Sequence, residues 1–271
     1  MLDILPSPTL LPRNHSFESS PNRRCSRWLV VAPEGAKPPI GVERGETVAR
    51  MRGKMNGAPV QRKGLLLATM EPPPAIEEEF QDWYDTEHFP ERASAEGFLT
   101  AARFVCLEGW PRYLALYDLA DVEVLRGPAY AAIAGSKYSA WTRRIVSKVW
   151  GQYRAEGVQI YPGGALLGEK GAAARLVVWR FRQPPPTAEP QILEGLRALY
   201  ESRAETAQVR LFVAQQPDGI DYIGIVELRT PAGAVPVTVS MLGDASRFVD
   251  MVNVYAQYRR KWPAVMAPKA P

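Results

Sequence analysis

Tyr113-Leu-Ala-Leu-Tyr-Asp-Leu119 and Tyr222-Ile-Gly-Ile-Val-Glu-Leu228 are one pattern written twice, 109 residues apart, with size and polarity kept at nearly every position. Three further matches run in the same order along the chain. Leu65-Leu-Leu-Ala68 pairs with Leu176-Val-Val-Trp179, Ala102-Arg-Phe-Val105 with Val209-Arg-Leu-Phe212, and Val149-Trp-Gly-Gln-Tyr-Arg154 with Val254-Tyr-Ala-Gln-Tyr-Arg259, at offsets of 111, 107 and 105. Four collinear matches predict a tandem of two related units, each of the size of a small domain. The boundaries follow as 64–161 for the first unit, 162–173 for a Gly-rich linker, 174–262 for the second unit and 263–271 for a tail.

Each unit reads as strand, helix, strand, strand, helix, strand. In the first, the apolar run Gly64–Met70 is closed by Pro72-Pro73-Pro74, and a helix follows from Ile76 to His88, where Pro90 disfavours helical geometry at Phe89. Phe98–Leu107 and Tyr113–Leu119 form a hairpin through Glu108-Gly-Trp-Pro111. A helical stretch from Val122 to Ser147 is interrupted near Gly127-Pro128 and Gly135, and Val149–Tyr161 is the closing strand. The second unit gives strand Arg175–Phe181, helix Pro190–Arg203, strands Val209–Ala214 and Tyr222–Arg229, an extra edge strand at Val237–Met241, a short helix over Asp244–Met251 and a strand from Val252 to Arg259. This βαββαβ order is that of the split-βαβ, ferredoxin-like motif, which leaves one sheet face to be covered. Two such units in one chain cover each other. The expected fold class is therefore α+β: two tandem ferredoxin-like units packed sheet to sheet as an intrachain α+β barrel.

Composition narrows the function classes. The 271 residues are 46% apolar and 23% charged, an ordinary globular balance. The formal charge of +4 comes from residues 1–63, which hold 11 Lys and Arg against 5 Asp and Glu and leave a body with 22 basic and 24 acidic residues. A near-neutral body argues against nucleic acid, and no apolar run reaches the length of a membrane span. Residues 1–63, with eight prolines, read as a disordered basic tail, a targeting peptide, or sequence upstream of a true start at Met51 or Met55. Two cysteines in unlike contexts, Cys25 and Cys106, give no disulfide framework, and a reducing cytoplasm is the default. Two histidines, His15 and His88, without metal-ligand spacing give no metal site.

The units differ in their first helices. Phe80 to Arg92 reads Phe-Gln-Asp-Trp-Tyr-Asp-Thr-Glu-His-Phe-Pro-Glu-Arg, with Ile76, Phe80, Trp83, Tyr84 and Glu87 on one face, His88 at its edge and Asp85 pointing away. The second unit's helix, Ile192 to Arg203, keeps apolar positions but has no histidine and no tryptophan, so an active centre is expected once per chain. The stretch 83–92, with Gly97-Phe98, Ala102-Arg103-Phe104, Pro128-Ala-Tyr130 and Trp141-Thr-Arg-Arg144, resembles the dimeric α+β barrel superfamily, specifically its EthD-like members, over residues 64–161. That resemblance implies cofactor-free isomerases, cyclases or oxygenases of small aromatic or polyketide-like molecules, with haem binders and proteins of unassigned reaction among the relatives.

The functional reading makes His88 a general acid or base at the mouth of a pocket, since imidazole titrates near neutrality. Tyr84, one turn earlier, assists. Trp83, Tyr113, Tyr117 and Trp141 offer flat surface to a hydrophobic, carbonyl- or phenol-bearing ligand, and Arg92 steadies an anionic group. The structural alternative is that His88 only answers the helix C-terminal dipole. Three functions follow: an enzyme with neither metal nor organic cofactor, a non-catalytic binding or accessory protein, and a haem-binding barrel. The expected state is monomer or homodimer.

Overall fold

In the computed structural model the described residues are 62–231 and 239–258, so the readings of the tail, the start codon and residues 259–271 lie outside them. Eight strands carry the fold: β1 (Gly64–Glu71), β2 (Phe98–Glu108), β3 (Tyr113–Leu119), β4 (Trp150–Tyr161), β5 (Arg175–Arg182), β6 (Thr206–Gln216), β7 (Gly219–Leu228) and β8 (Val249–Gln257). All ladders are antiparallel and close into a barrel of order β1-β3-β2-β8-β5-β7-β6-β4. The order is β4-β1-β3-β2 within 64–161 and β8-β5-β7-β6 within 175–257. The two arcs join by hydrogen-bonded edges, β2 to β8 and β4 to β6. Closure removes every free edge, which a four-stranded sheet would otherwise expose.

Alternation along each strand sends one set of side chains into the barrel and the other under the helices. Leu65, Leu67, Phe104, Leu114, Leu116, Val178, Phe212, Ile223, Ile225 and Tyr255 fill the interior. Outside, Leu66, Phe98, Tyr113 and Tyr117 pack beneath the first set of helices, and Val177, Trp179, Phe181, Leu211 and Val226 beneath the second. Both faces of β3 and β7 are covered, so every residue of β3 is buried. The sequence shows this as near-continuous apolar runs.

The matches seen in sequence meet the barrel unevenly. Leu65 lies opposite Asp118 and Leu176 opposite Glu227, so β1 with β5 and β3 with β7 occupy like positions. The looser match of Ala102–Val105 with Val209–Phe212 is out of register by one. Phe104 opposes Leu114 as Phe212 opposes Ile223, and Arg103 faces the helices while Arg210 faces the interior. Val254 sits opposite Val177 and corresponds to Glu156, opposite Leu66, rather than to Val149. Because strand residues alternate in facing, a one-residue slip exchanges every inward side chain for an outward one.

The first helical segment corrects two expectations. It does not end at His88. A 3-10 turn (Pro74–Ile76) leads into α1 (Glu77–Trp83), a π-helical turn (Tyr84–His88) and α2 (Phe89–Ser94). Phe89 is helical, and its N–H donates to the carbonyl of Tyr84, five residues back. Widening the turn before Pro90 lets the chain absorb a residue that has no N–H to give. The other correction concerns the edge strand expected at 237–241, of which 237 and 238 lie outside the described residues: Val239–Phe248 is a 3-10 segment kinked at Gly243, whose φ of +51° suits glycine. The interrupted stretch after β3 is a 3-10 turn (Val122–Arg126), α3 (Pro128–Ala131), a second 3-10 turn (Gly135–Lys137) and α4 (Ala140–Val146), the last capped by the Ser139 side chain on the Thr142 N–H. The second outer face carries α5 (Glu189–Tyr200). No helix among the described residues is long and apolar enough to cross a membrane.

Candidate functional site

The π-helical turn decides which side chains of 83–92 are buried. An extra residue in the turn rotates everything after it, and π-turns recur at functional sites. His88 is 6% exposed, with its ring centroid 4.2 Å from that of Trp83 and 5.2 Å from that of Tyr84. Asp85, expected to point away, is buried and forms an ion pair with Arg103 of β2. Glu87 lies further out. Its Oε1 accepts from Ser139 Oγ at 2.5 Å and Thr142 Oγ1 at 3.0 Å, and Thr142 Oγ1 in turn accepts from Trp83 Nε1 at 3.0 Å. Glu87 thus ties α4 to the helix that carries His88.

Three arginines converge here from three elements. Arg92 of α2 is buried, and its Nη1 donates to the His88 carbonyl at 3.3 Å. Its guanidinium lies 6.0 Å and 5.9 Å from the rings of Tyr130 and Tyr138. Arg103 is held between the rings of Tyr84 and Tyr258, at 4.2 Å and 4.3 Å, and its Nη2 donates to Gln81 Oε1 at 2.5 Å. Arg154 of β4 is 5.7 Å from the Tyr130 ring. Burial, then the charges of Arg92, Arg103 and Arg154, hold the His88 pKa well below its ordinary 6.5, so the ring is neutral at pH 7. Burial raises Tyr84 and Tyr117, with Arg92 and Arg103 opposing the rise at both. His88 Nδ1 and Tyr117 Oη are buried with no hydrogen-bond partner among the described residues. The first outer face thus carries a neutral imidazole and a phenol hydroxyl, both buried and both under the charges of Arg92 and Arg103; a neutral imidazole accepts a proton, and nearby cations favour an anion.

The other expected residues divide. Trp83 and Tyr84 pack on the His88 ring, Arg92 bonds the His88 carbonyl, and Tyr117 lies against Phe89, the next residue. Tyr113 is turned to α1, where its hydroxyl donates to Glu77 Oε1 at 2.5 Å; burial and that bond push its pKa up to about 12. Trp141 packs half-buried at the margin. Tyr84 meets the imidazole by ring edge. Arg103, Tyr130 and Arg154 have no role in the sequence reading, and Asp85, weighed there with Glu87 as the group that fixes the imidazole tautomer, pairs with Arg103 instead. A lone arginine inside the apolar run Ala101-Ala-Arg-Phe-Val105 is the available signal, because a charge there must be paired.

Residues 131–140 cover the cluster with short turns and mostly exposed or half-buried side chains, anchored by Glu87 and by Arg92 Nη2 to the Ile133 carbonyl at 3.5 Å. Elsewhere, an open groove of about 600 Å³ lined by Tyr161, Lys170, Glu201, Thr206 and Gln208 shares no residue with this cluster. Among the described residues no group of three or more His, Cys, Asp or Glu is arranged to hold a metal.

No protein-family model matches the chain. No curated protein matches it either. Solved structures do. An anthrone oxidase-like protein superposes with a TM-score of 0.51 at 14% identity, over 75% of this chain and 96% of its own. A candidate monooxygenase from Lactobacillus acidophilus gives 0.41 at 8% identity over 73% and 93%. A heme-binding protein from Thermus thermophilus gives 0.40 at 9% over 73% and 92%. The likeness is one of fold, a closed eight-stranded antiparallel barrel with helices on its outer faces.

Proposed function

We propose that this protein is a cofactor-independent enzyme of the isomerase, cyclase or oxygenase type, acting on a hydrophobic substrate that ionises to an enolate or phenolate. His88 takes the proton as general base and returns it as general acid, Tyr84 and Trp83 hold the imidazole, and Arg92 favours the anion. One observation carries the reading: a neutral, buried imidazole with a free Nδ1 stands within the field of three arginines. A neutral imidazole keeps its acceptor at pH 7, and the cationic surroundings favour the anion that proton removal creates. Entry for a ligand lies under the 131–140 cover, which has few buried anchors. In the same reading the chain is a fused tandem of two EthD-like, ferredoxin-like units with one centre, working in the cytoplasm as monomer or homodimer. The common strand order of the two arcs supports the tandem.

The anthrone oxidase-like neighbour suggests a probe. Anthrone loses a proton from its doubly benzylic carbon, and its carbonyl oxygen becomes a phenolate. The protein is expected to speed exchange of that proton for deuterium in heavy water. His88→Ala is expected to slow the catalysed exchange by about 10²–10⁴-fold without altering circular dichroism. Undiminished exchange in that variant overturns the reading. A Soret band in the purified protein would favour haem binding instead.

A further inference from the structure

Five other tyrosine hydroxyls in this barrel have side-chain partners. Tyr113 donates to Glu77, Tyr153 to Asp221 at 2.8 Å and Tyr222 to Glu189 at 3.2 Å. The Tyr200 hydroxyl accepts from Trp179 Nε1 at 3.0 Å, and the Tyr255 hydroxyl from Asn253 Nδ2 at 2.9 Å. Tyr117 is the exception. It is 2% exposed, and its hydroxyl has no partner among the described residues. Buried hydroxyls are nearly always paired, so one left alone calls for an explanation.

Position supplies it. Tyr117 points outward from β3 into the cluster that includes Trp83 and Tyr84, the two rings packed on His88, with its own ring 6.0 Å from Phe89, the residue after His88, and 5.6 Å from Phe98. Phe98 in turn stacks at 5.9 Å on Tyr130, the ring that Arg92 and Arg154 approach. The strongest cationic charges acting on the Tyr117 hydroxyl are Arg92 and Arg103, and both also act on His88. A phenol O–H has one proton to donate, and near two guanidinium groups a negatively charged acceptor is favoured.

We propose that Tyr117 is the oxyanion donor of this site, giving its hydroxyl proton as a hydrogen bond to the substrate oxygen on which charge gathers when His88 withdraws a proton. The inference rests on the proposed proton-transfer role of His88 and deepens it: the ligand class is a small planar phenolate or enolate. The bond pattern is a shift of electrons only. The C–H pair moves toward the carbonyl oxygen, the proton goes to His88, and Tyr117 keeps its own proton throughout. The same donor would bind a stable phenolate that undergoes no reaction.

The probe is 4-nitrophenol, whose phenolate is read by its visible absorbance. The full chain is expected to bind it as the phenolate. Tyr117→Phe is expected to weaken binding at least tenfold with a melting temperature equal to or above the parent's, because the atom removed has no partner among the described residues. Absence of binding by the parent chain, equal binding by Tyr117→Phe, or a lowered melting temperature in that variant overturns the proposal. The two readings separate cleanly. Anthrone exchange lost in His88→Ala but intact in Tyr117→Phe removes only the donor role, whereas exchange that survives His88→Ala removes the base.

Discussion

The two outer faces of the barrel are built to different standards of polar satisfaction. Under α5, the second face is apolar and its aromatic polar ends are matched, Trp179 Nε1 by Tyr200 Oη and Tyr222 Oη by Glu189, with Thr206 Oγ1 at its edge left without a partner among the described residues. Under α1 and α2, the first face buries Gln81, Asp85, His88, Arg92 and Arg103 among aromatic rings. It leaves Gln81 Nε2, His88 Nδ1 and Tyr117 Oη without hydrogen bonds among the described residues. One scaffold thus supports a face built for packing and a face that carries polar groups at a cost in stability. Such costs gather where a protein acts on something else.

The largest expected effect tests whether the first face depends on its ion pair. Asp85→Ala leaves Arg103 buried without its carboxylate and should lower stability by about 3–5 kcal/mol, read by urea denaturation. A loss below about 1 kcal/mol would mean that the pair is dispensable. Next, Leu196→Ala opens a void on the second face, where Leu196 is fully buried. It should cost about 2–5 kcal/mol while anthrone exchange below the melting transition stays unchanged. Loss of exchange in that variant would break the division between the faces.

The smallest effect is a pH slope. His88 is neutral when folded and titrates near its ordinary 6.5 when unfolded, so below that pH the unfolded chain binds a proton that the folded chain refuses. Stability is then fully present above pH 6.5 and falls as pH drops, by up to about 1.4 kcal/mol per pH unit. His88→Gln should flatten this part of the stability profile between about pH 6.5 and 5. A parallel slope in parent and variant would place the effect on other groups.

At the far side of the first face's strands, a second buried cluster closes one barrel mouth. Arg210 Nη1 donates to Asp118 Oδ1 at 2.7 Å, and Nη2 lies 3.3 Å from Glu227 Oε1, all three fully buried. The N–H groups of Leu167 and Gly168 in the connection between the arcs bond these acids at 2.6 Å and 2.9 Å, with the Leu167 side chain set in the core. The repeat marks Asp118 and Glu227 as like positions, and the barrel turns them toward a single arginine. Asp118 shows what pattern reading loses: nothing in an acid between Tyr117 and Leu119 says that its partner comes from 92 residues away.

Alternation and repetition along the chain located all eight strands of the barrel, with a ninth at 237–241 that the structure does not bear out, together with helices in each set and a histidine segment that occurs once. These are local properties, set by the period of apolar residues and the positions of proline and glycine. Register and facing belonged to the tertiary structure. It took Pro90 into the helix through a widened turn, buried Asp85 instead of Glu87, slipped two of the four matches out of equivalence, and brought Arg92, Arg103 and Arg154 to one imidazole. The physical reason is that a buried charge is tolerable only beside its partner, and partners from separate strands and helices meet only once the barrel has closed.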